Sequence, residues 1–349
     1  MSYGTVQAEK MTTESGYSLG AGNASSFKNR IINGGMVIDQ RNAGASITAT
    51  NTTAYPVDRW PLDVYGSTGA ISGQRSTVAP PGFTNSLLLT VVTTRTAIAA
   101  DFFAVGQRIE GFNAADLGWG TANAQTITLS FWARASVTGN YAVSLRNSAA
   151  SRSYVTSITI NSANTYEYKT LTIVGDTTGT WGTTNGIGIN LSIDLGTGST
   201  YQTATANAWQ AGNFVALTSG VRFVANASAT FYITGVQLEV GTVATSFDFR
   251  SYGTELALCQ RYCWKGQISN GVSMMYGNSA DGFGPTFSFP VTMRASPSSV
   301  TIVSAPIYDN CTSFDIAFDE NGFTHRLNSS GGPKAYRAYG GIYLANAEL

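Results

Sequence analysis

Apolar and polar residues alternate in short segments from Ile31 onward, and Gly, Asn, Ser and Thr separate one segment from the next. The clearest alternation lies in residues 127–134 and 187–195. A period of two residues is typical of strands that bury one face in an antiparallel sheet. Further segments of this kind are residues 141–146, 154–160, 166–174, 221–225 and 230–240. The pattern predicts an all-β chain that folds as an antiparallel β-sandwich or jelly roll.

Residues 253–264 break this alternation and contain good helix formers, with Thr254 as a candidate N-cap and Glu255 in the first turn. Alternating segments resume at residues 285–290, 299–303, 314–318, 323–327 and 341–347. The first 30 residues are polar and Gly-rich and show neither period. We expect four parts: an extended N-terminal arm (1–30), a jelly-roll domain (31–250), a connecting helix (251–266) and a smaller C-terminal β-domain, the tip (267–349).

Charged side chains are scarce, since 20 Lys and Arg and 20 Asp and Glu make up 11% of 349 residues, with a formal net charge of zero. A chain without excess positive charge lacks the electrostatic footprint of a nucleic-acid binder, so we expect no nucleic-acid partner. Apolar runs such as residues 87–89 and 102–105 are far shorter than the roughly 20 residues that a membrane-spanning helix needs, so we expect no membrane insertion. Cys259 and Cys263 have helical spacing that suits a disulfide poorly, and one histidine is too few for a Cys/His zinc site. We predict no cofactor and no metal.

The polar faces of three predicted strands carry residues suited to sugar recognition, because strand parity turns them away from the apolar face. These candidates are Trp132 and Arg134 in the first strand, Asn190 and Asp194 in the second, and Gln237 in the third. If the strands share a sheet, this face presents an aromatic plate with amides and a carboxylate. Such a plate can stack on a pyranose ring and bind its hydroxyls. In the alternative, a loop or a neighbouring subunit covers Trp132.

A second candidate surface lies in the tip, in a stretch that glycines break too often for a central strand. Its candidate residues are Tyr336, Arg337, Tyr339 and Tyr343. Tyrosines among small flexible neighbours are typical of adaptable recognition loops. In the alternative, these tyrosines pack across the axis of a trimer. Of the two surfaces, we expect the tip to be the recognition site.

Catalytic chemistry finds little support in the sequence. Residues 319–322, Asp-Glu-Asn-Gly, predict a β-turn first and a catalytic carboxylate site second. The isolated acids elsewhere form no contiguous calcium loop, and no pattern selects a pair of carboxylates for glycoside cleavage. We therefore expect no enzymatic activity and no catalytic residue.

Several runs of residues resemble modules of phage proteins. Residues 29–41 (NRIINGGMVIDQR), with Asp58-Arg59-Trp60 after them, resemble the opening of a module in bacteriophage and prophage tail-fibre or receptor-binding proteins. Residues 128–134 (TLSFWAR) resemble a strand of carbohydrate-binding-module jelly rolls. The densest match resembles the junction between that jelly roll and the C-terminal tip of phage fibres. It comprises residues 233–241 (ITGVQLEVG), Ala244-Thr245, Arg250-Ser251-Tyr252-Gly253 and residues 255–262 (ELALCQRY).

The resemblance implies a homotrimeric structural protein of the virion, made in the host cytoplasm. It implies that residues 1–30, with Tyr3-Gly4-Thr5-Val6, attach to another virion protein. The other implied partner is a host cell-surface polysaccharide or receptor. The alternative is a capsid decoration or head-fibre protein of the same architecture, and a minor alternative is a polysaccharide depolymerase.

Overall fold

The computed structural model describes the backbone and side chains of residues 28–66, 68–96, 99–267, 286–305, 315–324 and 341–349. It also describes the backbone of residues 11–12, 18–19, 271–273, 307–309, 311–314, 325–329 and 336–339. Two short strands, β1 (Met11–Thr12) and β2 (Ser18–Leu19), pair with each other ahead of the main fold.

Two antiparallel sheets pack face to face between residues 47 and 240, as the alternation predicts. The strands of this region are β3 (Ile47–Ala49), β4 (Thr52–Val57), β5 (Trp60–Tyr65), β6 (Ala70–Ser76), β7 (Ser86–Thr93), β8 (Phe102–Glu110), β9 (Ile127–Ala135), β10 (Gly139–Arg146), β11 (Arg152–Ile160), β12 (Glu167–Ile173), β13 (Ile187–Asp194), β14 (Gln202–Thr203), β15 (Trp209–Ala211), β16 (Ala216–Leu217) and β17 (Thr230–Val240). One sheet has seven strands in the order β15-β11-β10-β13-β8-β5-β4, and the other has six in the order β12-β9-β17-β7-β6-β3. The all-β prediction of a sandwich of jelly-roll type is confirmed.

The core between the two sheets follows the predicted parity. Ile127, Leu129, Phe131 and Ala133 of β9 are all fully buried in one apolar cluster with residues of the opposite sheet. A fully buried apolar side chain stabilises the fold by about 1.5–3 kcal/mol, so this cluster holds the sandwich together.

Strand β17 contains a bulge that sets which of its residues face the core. Its register against β9 shifts between Thr234 and Gln237, and Gly235 within the bulge has a left-handed backbone (φ +63°). The extra residue turns Val236 and Leu238 toward the core, where both are buried. The predicted inward face of this segment therefore depends on a glycine at position 235.

Among the described residues, 3₁₀ turns connect strands of the sandwich at Gly111–Asn113, Ala115–Leu117, Ser199–Tyr201 and Phe223–Ala225. The strand predicted at residues 221–225 is wrong, because Phe223–Ala225 forms such a turn. Phe223 and Val224 are both buried in the sandwich core. The apolar residues of this segment are thus buried by a turn and not by a strand.

The predicted connecting helix is present as α1 (Tyr252–Gln260), with Glu255 in its first turn. The expectation that Thr254 is its N-cap is wrong, because the helix begins two residues before Thr254 and the Ser251 side chain caps it by accepting from the N–H of Thr254. It ends earlier than expected, because residues 263–267 form a strand that pairs with the end of the chain. The tip contains strands β18 (Cys263–Gln267), β19 (Gly271–Ser273), β20 (Thr286–Ser288), β21 (Ser299–Ser304), β22 (Ile307–Asp309), β23 (Cys311–Phe318), β24 (Gly322–Ser329), β25 (Tyr336–Tyr339) and β26 (Ile342–Asn346). They form three antiparallel sheets in the orders β18-β26-β21, β19-β25-β22 and β20-β24-β23. The four-part division of the chain stays a prediction.

Residues that carry the phage-fibre resemblance meet at the base of the sandwich. The Asn29 side chain donates to the carbonyl of Val236 (3.1 Å) and accepts from the N–H of Leu238 (3.1 Å). The Asn33 carbonyl accepts from the indole N–H of Trp60 (3.1 Å), and its own N–H donates to Glu255 of α1. Part of the segment predicted as arm, residues 28–30, is thus packed against β17.

Side chains join the sandwich to the tip. Glu110 of β8 accepts hydrogen bonds from Arg261 (2.6 Å) and from the hydroxyl of Tyr262 (2.6 Å). Glu348, at the other end of the tip, forms an ion pair with the buried Arg59. Cys259 beside this junction is a buried free thiol, as is Cys263, so the prediction of no bridge between them is confirmed. The side chain of Cys311 lies outside the described residues.

Among the described residues, no helix has the length and apolar character needed to cross a membrane.

Candidate functional site

The structure places the sandwich candidates on two opposite outer faces, because their strands belong to different sheets. Strands β9 and β17, with Trp132, Arg134 and Gln237, are neighbours in the six-stranded sheet. Strand β13, with Asn190 and Asp194, lies in the seven-stranded sheet. The expectation of one shared ligand face is therefore wrong, since the apolar core separates the two groups.

Asp194 is buried and holds a turn. Its Oδ1 accepts hydrogen bonds from the N–H groups of Gly196 (3.0 Å) and Thr197 (2.7 Å), and its Oδ2 lies 3.8 Å from a guanidinium nitrogen of Arg222. Burial raises the pKa of this carboxyl to about 6, although the hydrogen bonds and Arg222 act in the opposite direction. Asn190 is half-buried four residues earlier. Both lie far from the aromatic plate of the other sheet.

Gln237 is fully buried and positions a neighbouring segment of chain. Its Oε1 accepts from the N–H of Asp248 (2.8 Å), and its Nε2 donates to Glu239 (2.8 Å). Glu239 accepts in turn from the N–H (2.9 Å) and the hydroxyl (2.6 Å) of Thr245. These bonds fasten residues 245–248 to β17. Gln237 therefore fixes the position of that segment and does not itself face solvent.

The tip candidates differ from the expected recognition loop. Tyr343 is fully buried, and its ring centre lies 5.0 Å from that of Phe323 in the core of the tip. Tyr336, Arg337 and Tyr339 lie in β25, which is the central strand of its sheet, so the expectation that glycines exclude a central strand here is wrong. The side chains of these three residues lie outside the described part of the structure, as does that of His325.

An aromatic cavity of about 420 Å³ opens on the outer face of the six-stranded sheet. Its lining includes the rings of Phe83, Trp132, Tyr168, Phe247 and Phe249. The hydroxyl-bearing residues Ser130, Thr245 and Ser246 also line it. We refer to it as the Trp132 pocket. Its combination of apolar rings and few polar groups is typical of small-ligand sites.

The floor of the Trp132 pocket is a cross-strand aromatic pair. Trp132 of β9 lies directly opposite Tyr168 of β12 in the register, with ring centres 5.3 Å apart and an angle of 49° between the planes. Trp132 is half-buried, and 45% of Tyr168 is exposed. No loop among the described residues fully covers Trp132. The pair leaves aromatic surface open to a ligand.

The wall of the pocket is a cluster of three phenylalanines. Phe247 lies 5.1 Å from Phe83 and 4.8 Å from Phe249 between ring centres. Gly235 permits this arrangement, because a Cβ atom there would lie 2.6 Å from the Phe83 ring. Phe249 is 66% exposed, so the rim of the wall faces solvent. The bulge in β17 thus both sets the core parity and makes room for the wall.

Arg134 lies beside the pocket, one strand repeat from Trp132 on the same face. Its guanidinium carbon lies 4.8 Å from the ring centre of Tyr232 and 5.9 Å from that of Tyr166. Its Nε is buried and has no hydrogen-bond partner. The two rings fix the side chain in place without neutralising it.

Sequence reasoning missed most of the pocket. Tyr168 could have been found, because the alternation of residues 166–174 places it on the polar face of its strand. Phe83, Phe247 and Phe249 come from segments without period, so no local signal indicates that they meet. Their meeting depends on the pairing of β7 with β17 and on the bonds that Gln237 makes.

The tip contains a shallower cavity of about 260 Å³, lined by residues that include Thr286, Phe318, Asp319 and Asn321. The predicted β-turn at residues 319–322 is present, since Asp319 Oδ1 accepts from the N–H groups of Asn321 (2.7 Å) and Gly322 (3.1 Å). Asp319 is thus engaged within its own turn. In the described part of the chain, no group of three or more His, Cys, Asp or Glu residues is arranged to hold a metal ion.

Comparison with known proteins gives matches among solved structures alone. The enzymatically active domain of tailspike protein 4 from bacteriophage CBA120 is similar over 62% of this chain and 22% of its own length, at 11% identity and a TM-score of 0.28. The family 11 carbohydrate-binding module from Clostridium thermocellum, in complex with a β-1,3-1,4-mixed-linked tetrasaccharide, is similar over 58% of this chain and 100% of its own, at 12% identity and a TM-score of 0.29. A CBM4 structure is similar over 60% of this chain and 98% of its own, at 14% identity and a TM-score of 0.29. No protein-family profile and no curated protein sequence match the chain.

Proposed function

We propose that this protein is a non-enzymatic, glycan-binding structural protein of a phage virion, and that the Trp132 pocket holds the sugar. The observation that carries the proposal is the opposed pair of Trp132 and Tyr168 beside a cavity of about 420 Å³ that Ser130 and Ser246 also line. This volume is within the usual range of small-ligand sites, about 300–1,000 Å³.

The chemistry of the lining suits a sugar ring. The C–H face of a pyranose is apolar and packs on an aromatic face, while its equatorial hydroxyls need donors and acceptors at the edge. Trp132 and Tyr168 supply the faces, and Ser130 and Ser246 supply hydroxyls, while the Thr245 hydroxyl is already donated to Glu239. Aromatic side chains lose little conformational entropy on binding, because only two torsions must be fixed.

The carboxylates near the pocket support binding over cleavage. Glycoside hydrolysis requires two carboxyl groups that flank the scissile bond. Glu239 is buried and bonded to Thr245, and Asp248 lies 3.8 Å from Arg250. Both acids are engaged in fastening the chain.

The resemblance of residues 29–41 and 233–262 to phage fibre proteins supports a virion location. In this proposal the chain forms a homotrimer, residues 1–30 attach it to another virion protein, and the sandwich faces host surface polysaccharide. Antibody-labelled particles seen by electron microscopy test this part. Label on the tail or another surface appendage is expected, and unlabelled intact particles would contradict it.

Binding to an array of bacterial surface oligosaccharides tests the sugar site. Tyr168→Ala should weaken the bound glycan about fivefold, since one stacked ring contributes about 1 kcal/mol beyond burial. Tyr65→Ala is the matched control, because Tyr65 is 43% exposed, close to the 45% of Tyr168, but lies on β5 in the other sheet. Equal affinity in the two variants would contradict the assignment of the pocket. Release of reducing sugar from a bound polysaccharide would contradict the non-enzymatic role.

A further inference from the structure

Arg134 differs from every other arginine whose side chain the structure describes. The others each form an ion pair or donate a hydrogen bond, as Arg152 does to Asp176 (2.6 Å) and Arg75 to the carbonyl of Val37 (2.8 Å). Arg134 does neither: its contacts are the faces of Tyr232 and Tyr166. A half-buried cation without a counter-ion is costly to fold, because part of its hydration is lost and no charge replaces it.

The rings hold Arg134 in a defined orientation. Tyr232 lies directly opposite it in the register of β17 and β9, and Tyr166 is itself fixed by a hydrogen bond from its hydroxyl to the carbonyl of Val78 (2.7 Å). A guanidinium stacked on aromatic rings keeps its outward N–H groups free to donate. Two such groups match the two oxygens of a carboxylate.

The position of Arg134 relative to the pocket is set by the strand. Residues two apart on one face of a strand are separated by about 7 Å. Arg134 is not part of the pocket lining, so a ligand stacked on Trp132 reaches the guanidinium only if it extends about one sugar unit along the strand. The anions near the pocket do not compete for the guanidinium, because Glu239 has Lys28 at 4.0 Å and Asp248 has Arg250 at 3.8 Å.

We propose that the ligand of the Trp132 pocket is an acidic glycan, whose sugar carboxylate is bound by Arg134 while an adjacent ring stacks on Trp132. This inference rests on the proposed sugar site and adds to it the class of sugar. The bound carboxylate would supply the counter-ion that Arg134 lacks in the folded protein.

The test uses the full-length protein and pairs of oligosaccharides that differ only in whether the sugar carboxylates are free and charged or esterified and neutral. Tetragalacturonate and sialyllactose are compared with their methyl esters, together with any acidic glycan found on the array. At least one acidic member should bind tenfold or more tightly than its ester. Arg134→Gln should remove that preference, and the difference should shrink as ionic strength rises from about 0.01 M to about 1 M, since the screening length falls from about 30 to about 3 Å.

Two controls separate charge from fold. Arg222→Gln removes the same charge from the other side of the sandwich and should keep the preference for the acid. Arg134→Lys should retain part of it, because the charge remains and the planar fork is lost. A direct readout is the ¹⁵N–¹H signal of Arg134 Nε, which should shift with the acid and not with the ester.

The outcomes distinguish this inference from the proposed function. If neutral glycans bind at the Trp132 pocket, or if Arg134→Gln binds acid and ester as wild type does, the acidic-glycan inference is overturned and the sugar site stands. If Tyr168→Ala and Tyr65→Ala bind every glycan equally, the sugar site fails and the inference fails with it.

Discussion

The guanidinium carbon of Arg59 lies 3.5 Å from the ring centre of Tyr262, so a cation of the sandwich is stacked on an aromatic ring at the base of the tip. Arg59 is buried, has a left-handed backbone (φ +72°) and pairs with Glu348. That backbone costs a residue with a side chain about 1–2 kcal/mol. The ring and the carboxylate offset this cost together. Arg59 therefore links the folding of the sandwich to that of the tip.

Glu348→Ala should destabilise the protein by about 3–5 kcal/mol, because the variant leaves the buried Arg59 without its counter-ion. Chemical denaturation gives the free energy of unfolding, and limited proteolysis shows whether the tip is released. Asp116→Ala is the control: Asp116 also pairs with an arginine, Arg30, but its side chain is 57% exposed, so a loss below about 1 kcal/mol is expected. Similar losses in the two variants would contradict the role of the buried pair.

Gly235→Ala should both lower the melting temperature and weaken glycan binding. The new Cβ would lie 2.6 Å from the Phe83 ring and would sit on a left-handed backbone, so the wall of the Trp132 pocket must move. Gly241→Ala separates strain from collision, because Gly241 also has a positive φ (+120°) and nothing lies within 4 Å of its added Cβ. That variant should lose stability and keep its affinity for glycan. An unchanged affinity in Gly235→Ala would show that the wall takes no part in binding.

Asp194 should make the protein less stable as pH rises from about 4 to about 6. Burial raises the pKa of its carboxyl from 3.8 to about 6, so in this window the folded protein binds more protons than the unfolded chain. The free energy of unfolding then falls with rising pH, and the contribution of the neutral acid is fully present below the unfolded value. Burial raises the pKa of Asp58 to about 6 as well and adds to the same trend.

Urea denaturation at pH 4.5 and pH 6.5 measures this effect. Asp194→Asn should show a smaller fall in stability between the two pH values than the wild type, since one titrating group is gone. Asp116→Asn, on the surface, should fall as the wild type does. An identical fall in all three proteins would exclude Asp194 as a source of the pH dependence.

Removal of residues 1–27 should leave the melting temperature unchanged, whereas removal of residues 1–30 should lower it by several degrees. The second deletion takes away the buried Asn29, whose side chain bonds Val236 and Leu238, and the N–H of Arg30, which donates to Leu238 (2.9 Å). Each buried bond contributes about 0.5–1.5 kcal/mol, and its loss leaves groups of β17 unpaired. Differential scanning calorimetry compares the two truncations. Equal melting temperatures would place the start of the folded domain after residue 30.

The local pattern predicts the strands better than it predicts their partners. Alternation in residues 127–134 correctly identifies the side chains that face the core, Ile127, Leu129, Phe131 and Ala133. It can do so because parity is a property of a single strand. Which strands share a sheet depends on long-range pairing. For that reason Asn190 and Trp132, alike in local pattern, lie on opposite faces of the sandwich.

The pocket and the tip show the same limit from another side. Phe83 and Phe247 meet because the bulge in β17 and the buried Gln237 bring their loops together. Neither the bulge nor the role of Gln237 produces a periodic pattern that could be recognised in the sequence. Glycines near Tyr336 suggest a loop, yet Tyr336–Tyr339 contains no glycine and forms a strand between two others. Tyr343 is buried because β26 lies between β18 and β21.

The described strands of the tip form no ladder with those of the sandwich. The two are joined through side chains at many positions, since Gln40, Arg41 and Arg108 also donate hydrogen bonds to residues 263, 346 and 349. The tip is therefore attached to the sandwich by side-chain contacts and not by a shared sheet. A β-domain of another sequence could occupy the same place only if it kept partners for Arg59, Glu110 and the other sandwich residues at this junction. Exchange of the tip at this junction would replace the end of the molecule and leave the Trp132 pocket as it is.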